Sequence, residues 1–169
     1  MAYKTVNPFT NETVATFPDL TDAELAHRLD RAQETYRQWS RLPFARRAAI
    51  VGRAAELLRT HRDEYARYLT LEMGKLYRES LAEVDLSADI LQYYADNAET
   101  FLAPQKLTEK SGRGDQAMVV SQPLGVIYCH RALEFSLLPA GPRGRAAVHG
   151  GQCGGGQACV QRAAIRCCL

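Results

Sequence analysis

At 169 residues with 46% hydrophobic content, the chain has the size of a single domain and enough apolar material for a core, which excludes disorder throughout. Twenty-one basic against nineteen acidic residues leave a net charge of +2, so bulk charge points to neither nucleic acid nor a membrane surface as partner. No apolar run follows Met1-Ala2-Tyr3-Lys4, and none approaches the roughly 18–20 residues of a membrane span, so a soluble, cytoplasmic protein is expected.

The first element is a small hairpin over Tyr3 to Phe17, turning at Asn7-Pro8-Phe9-Thr10-Asn11-Glu12, whose Pro and Asn residues favour a turn. Thr21-Asp22-Ala23-Glu24 spells a capping box and starts a helix, along which Leu25, Leu29, Ala32, Tyr36 and Trp39 form one apolar stripe. Pro43, suited to a first helical turn, opens a second helix with the stripe Ile50, Ala54, Leu57 and Leu58. Gly52 inside it costs about 1 kcal/mol relative to Ala and is expected to mark close packing. A third helix runs from about Asp63 through Tyr65, Tyr68, Leu69 and Leu71 to a left-handed cap at Gly74. The fourth spans Tyr77 to Ala103, with Leu81, Val84, Ala88, Leu91, Ala95, Ala98 and Leu102 on one face and Pro104 closing it. Strand signals follow at Leu107-Thr108-Glu109, Ala117-Met118-Val119-Val120 and Leu124-Gly125-Val126-Ile127-Tyr128, with a turn at Ser111 to Asp115 and a strand boundary at Pro123.

Beyond Tyr128 the vocabulary changes. Residues 1–128 hold 16 basic and 18 acidic residues, whereas the last 41 hold five Arg and a single acid, Glu134. Those 41 residues also carry all five cysteines and seven of the twelve glycines, with no Lys, Asp, Asn, Thr, Tyr, Met or Trp. A disordered Gly/Arg/Cys-rich tail is expected there.

Candidate sites reduce mostly to structure. Arg113-Gly114-Asp115 matches an adhesion tripeptide, but Gly and Asp are what a turn demands. The Gly-rich run from Gly150 to Gly156 lacks the preceding strand, the Lys-Ser/Thr and the following helix of a phosphate cradle. His149, Cys153 and Cys159 lack the short paired spacings of a zinc site, and adjacent Cys167 and Cys168 are poorly placed to bridge each other. No nucleophile has a visible base, so no catalytic, cofactor-binding or metal-binding residue is assigned. Arg46-Arg47 and Arg59 with Arg62 read as solvated surface, and Tyr36, Trp39, Tyr93 and Tyr94 as core or subunit contact.

Asn7-Pro8-Phe9-Thr10-Asn11-Glu12, the helix through Arg46-Arg47, Leu69-Thr70-Leu71-Glu72-Met73-Gly74-Lys75, Ala82-Glu83-Val84 and Gln122-Pro123-Leu124-Gly125-Val126-Ile127 occur in the order of an aldehyde dehydrogenase N-terminus. Over residues 3–128 the chain resembles that family, and within it the succinate-semialdehyde dehydrogenases. The resemblance implies an α/β fold with a Rossmann-type coenzyme domain, of which residues 1–128 would supply the N-terminal part and some of an oligomerisation hairpin. It also implies NAD or NADP as cofactor, an aldehyde as substrate and a homo-oligomer as the family's assembly. In the family a Cys thiolate attacks the carbonyl, an Asn amide holds the oxyanion, hydride passes to nicotinamide and a Glu activates water. The Cys and Glu positions lie beyond the length of this chain, so no coenzyme is expected to bind it and no activity is expected of it alone. The truncated chain itself should be mainly α-helical with short β-hairpins.

The family's Asn belongs to a Pro-Trp-Asn-Phe segment just after the Pro-Leu-Gly-Val strand, where this chain reads Cys129-His130-Arg131-Ala132-Leu133-Glu134-Phe135. Codons CGA GCC CTG GAA TTT for Arg131 to Phe135, read one base later, give Glu-Pro-Trp-Asn-Phe. Gln152 to Cys159 at the same offset can give Asn-Val-Val-Val-Val-Lys-His-Ala, which resembles the family's next strand with its coenzyme-ribose Lys. Residues 129–169 are therefore expected to record a one-base frame change near codon 129. Two other classes stand beside this reading: a non-catalytic helical interaction module, and a metal or redox tail protein acting through Cys153 and Cys159.

Overall fold

The computed structural model describes residues 3–107 and 117–127. The elements run β1 (Tyr3–Val6), β2 (Thr13–Phe17), α1 (Asp22–Trp39), α2 (Phe44–Thr60), α3 (Arg62–Met73), α4 (Tyr77–Phe101), β3 (Gln105–Lys106) and β4 (Met118–Val119). The mainly helical expectation with short antiparallel strand pairs holds over these residues.

β1 and β2 pair antiparallel from Tyr3↔Phe17 to Val6↔Thr13, with an irregularity between Thr5 and Val6. The turn closes locally: the Asn7 side chain accepts from the Phe9 amide at 2.9 Å, and Asn11 sits at φ 60°, a left-handed position that Asn tolerates. The Thr21 capping box forms as the sequence predicts, with the Glu24 amide donating to the Thr21 hydroxyl and the Thr21 amide to the Glu24 carboxylate. That backbone bond, and then the hydroxyl bond from the same Thr21, holds the Glu24 carboxyl below its usual range.

α4 is the centre of the molecule, with α2 and α3 both packed against it. Tyr65, Ala66 and Leu69 of α3 meet Val84 of α4 in the core, flanked by Leu58, Tyr68 and Leu81. The other buried apolar residues are small, Val51 and Ala55 on α2 and Ala88 and Ala98 on α4, which lets helix backbones approach closely. The α4 stripe is read correctly at Val84, Ala88 and Ala98, and Gly74 caps α3 at φ 66° as predicted.

Four expectations are corrected. The α2 stripe is displaced at its start, where Ile50 is 52% exposed while Val51 and Ala55 are buried, and Leu58 packs against the core as expected. Gly52 marks no close approach, since an added Cβ would meet only the Gln92 side-chain oxygen, at 3.9 Å. Pro43 is the N-cap of α2 rather than its first helical residue. No residue of α1 is fully buried: Ala32, Tyr36 and Trp39 of its stripe are half-buried, while Leu25 and Leu29 are exposed.

β3 and β4 form a second two-stranded ladder, Gln105↔Val119 and Lys106↔Met118; β4 falls within the predicted strand 117–120, whereas β3 lies just before the predicted strand 107–109, of which Thr108 and Glu109 lie outside the described residues. Leu124 to Val126 form no strand, Gly125 adopting φ 117°, and Ile127 takes part only in an isolated bridge. The predicted turn at Ser111 to Asp115 and the tail beyond Ile127 lie outside the described residues.

Candidate functional site

Polar groups converge at the corner between α3 and α4. Gly74 ends α3 by adopting the left-handed conformation, its amide donating to the Thr70 carbonyl at 2.9 Å. Lys75 and Leu76 then turn the chain into α4. The hairpin turn lies over this corner, with Pro8 so close that a Cβ on Gly74 would stand 2.9 Å from the Pro8 Cγ. Asn7, Phe9, Arg67, Tyr68, Thr70, Leu71, Gly74, Lys75, Leu76 and Tyr77 line an open cleft of about 630 Å³.

Beneath it the Lys75 ammonium donates to the Glu83 carboxylate at 2.7 Å, and the Glu83 side chain is only 2% exposed. The Thr70 and Ser80 hydroxyls share a hydrogen bond of 3.0 Å one turn away. At the rim the Tyr77 hydroxyl donates to Asp63 at 2.7 Å, and this bond, more than desolvation, pushes the phenol up from its usual range. Two Arg–Asp pairs clasp neighbouring helices to α4: Arg62 grips Asp85 through two bonds of 2.6 Å, and Arg59 meets Asp89 at 3.0 Å. The Arg62 hydrogen bond holds the Asp85 carboxyl below its ordinary range and raises the guanidinium.

These groups can bind and brace. The cleft lining includes no Cys, His or Ser. Among the described residues no cluster of three or more His, Cys, Asp or Glu could hold a metal ion, and no helix is long and apolar enough to cross a membrane.

Of the residues weighed in the sequence, Arg113-Gly114-Asp115, His149, the Gly150–Gly156 run and all five cysteines lie outside the described residues. The solvated reading fails at Arg47, which is buried at 5% exposure with its guanidinium 4.2 Å from the Phe44 ring centre. Its signal was present: Arg47, Val51 and Ala55 recur at steps of four. Arg62 is only half-exposed and bound to Asp85, while Arg46 and Arg59 are exposed. Tyr93 stands half-exposed, edge-on to Tyr94 and tilted against Phe101. The Lys75–Glu83 pair, missed in the sequence, spans a helix break at a separation that no single-helix pattern reveals.

The aldehyde dehydrogenase family matches residues 1–153. The chain therefore belongs to the aldehyde dehydrogenase family. The match passes Tyr128 and enters the cysteine-bearing segment, further than the residues 3–128 expected. The succinate-semialdehyde dehydrogenase [NADP(+)] of Deinococcus radiodurans is 47% identical over 125 residues, covering 74% of this chain and 26% of that protein. The crystal structure of succinic semialdehyde dehydrogenase from Streptococcus pyogenes with NADP+ is 44% identical, with a TM-score of 0.69 over 74% of this chain and 27% of that one. Gox0499, whose structure concerns cofactor and substrate selection, is 38% identical with a TM-score of 0.83, covering 90% of this chain and 33% of its own. The chain thus spans between a quarter and a third of the proteins it matches.

Proposed function

We propose that this chain derives from an NAD(P)-dependent aldehyde dehydrogenase acting on succinate semialdehyde. The observation that carries the reading is the 47% identity with a relative named for that substrate and for NADP(+). Arg46-Arg47, Glu72-Met73-Gly74-Lys75 and Pro123-Leu124-Gly125-Val126 supply the ordered motifs behind it.

The described residues do not fit a nicotinamide dinucleotide. They hold two antiparallel two-stranded ladders and no parallel sheet, hence no strand-to-helix turn at which phosphates could rest on helix amides. No catalytic step is derived for them. What they contribute is the helical layer braced by Arg62–Asp85, Arg59–Asp89 and Lys75–Glu83.

The segment 129–169 is proposed to be family sequence read one base out of frame. Sequencing the gene across codon 129 tests this: Pro-Trp-Asn-Phe should stand in the alternative frame, and its absence overturns the proposal. The purified 169-residue chain should not reduce NAD or NADP with succinate semialdehyde, whereas the frame-restored product should; turnover by the 169-residue chain would refute its inactivity. A defined protein partner bound with a cooperative melt would instead favour the helical interaction module.

A further inference from the structure

Arg47 is the one buried arginine among the described residues, and it has no acidic partner there. At 5% exposure its Nε is sealed without a hydrogen bond, and its guanidinium rests over the ring of Phe44, the first residue of α2. That contact turns the side chain back towards the N-terminal end of its own helix. Burial alone pulls the guanidinium down from its usual range, in contrast to Arg62, which Asp85 raises. A buried cation normally has its counter-charge beside it, because desolvating an unpaired charge is costly.

The end of α2 towards which Arg47 turns is itself incomplete. Pro43 provides no side-chain cap, and the first turn carries no acid. The Pro43 carbonyl accepts from the Arg46 and Arg47 amides, which leaves the leading amides of the helix directed outward. Arg46 in the first turn and Arg41 just before it are both exposed and add positive charge where the helix dipole is already positive. Cations, open amides and a buried unpaired guanidinium together lack one complementary group.

We infer that the N-terminal turn of α2 is an oxyanion-binding site, in which the Arg47 guanidinium and the leading amides of α2 hold a phosphate or carboxylate group. The shared chemistry is a compact anion with at least two oxygens, one for the planar fork of arginine and one for the helix amides. The anion is either free in solution or borne by an acidic side chain of another segment.

The test uses the 169-residue chain, with thermal unfolding followed by far-UV circular dichroism at constant ionic strength. One arm titrates inorganic phosphate against chloride; the other titrates an N-acetylated Asp-Glu dipeptide. A saturable rise in midpoint with phosphate identifies a free anion, and a rise with the dipeptide alone identifies an acidic segment. Arg47→Gln should abolish the response, while Arg53→Gln, a change at an exposed residue of the same helix, should leave it unchanged. Should Arg47→Gln not fold, Arg47→Lys carries the test, with at least threefold weaker binding expected because an ammonium lacks the fork. No saturable rise with either ligand, or an unaltered response in the Arg47 variants, overturns the site.

Discussion

Two glycines in neighbouring helical segments do opposite things. Gly52 has ordinary helical geometry and space around it, so Gly52→Ala should stabilise the chain by about 0.5–1 kcal/mol, read as a higher urea midpoint with an unchanged slope. Gly74 combines φ 66° with Pro8 against its Cα, and Gly74→Ala should cost about 1–2 kcal/mol in the same measurement. Lys75→Met should cost about 3 kcal/mol, because it removes the cation from a Glu83 carboxylate that is only 2% exposed. Asp85 supplies a pH signature. Its carboxyl ionises at lower pH in the folded chain than its ordinary value of 3.8, so its stabilisation is complete above that value and fades as pH falls through the folded one. The stability difference between the parent and Asp85→Asn should therefore be present at pH 7 and shrink only as pH falls below 3.8, followed by urea melts across that range. Both Arg62 and Asp85 keep appreciable exposure, which limits the neutral-pH difference to about 1 kcal/mol.

Among the elements, those with local signals were legible. The Thr21 box needs only four residues, the cap at Gly74 only one, and α4 shows a single apolar face because charged residues occupy the other. α2 was misphased for a physical reason: Ala48, Ala49, Ile50, Val51, Ala54 and Ala55 make it apolar on several sides, so packing against α4, not pattern, selects the buried face. The cleft at the α3–α4 corner was not legible, since it joins the hairpin turn around Asn7 and Phe9 to residues 67–77, and only tertiary structure brings these together. α1 shows the converse case, a well-read helix with no fully buried residue. Its amides should exchange with deuterium far faster than those of α2 and α4, and Thr21→Ala, costing about 1 kcal/mol of helix stability, should speed α1 exchange while leaving α4 protection unchanged.

At the scale of the molecule, apolar surface remains uncovered in several places. Leu124 and Phe9 are almost fully exposed, and Tyr93, Phe101, Leu107 and Met118 to Val120 are about half-exposed. These side chains lie on the hairpin turn, on the last turns of α4 and around β4, so they do not reflect one loose segment. Such surface drives association, and sedimentation equilibrium of the 169-residue chain should give a mass above 18.8 kDa that rises with concentration.

The packed core lies wholly between residues 44 and 101, where α2 and α3 close onto α4 in order of synthesis. Its contacts link helices that are adjacent or nearly so along the chain, the arrangement that closes fastest. A ribosome that has passed codon 129 and cleared its exit tunnel has therefore already released every residue that this core requires. Whatever follows in the message, α2 to α4 can assemble on the nascent chain, so an early change of frame would yield a helical product that outlasts its own unfinished translation.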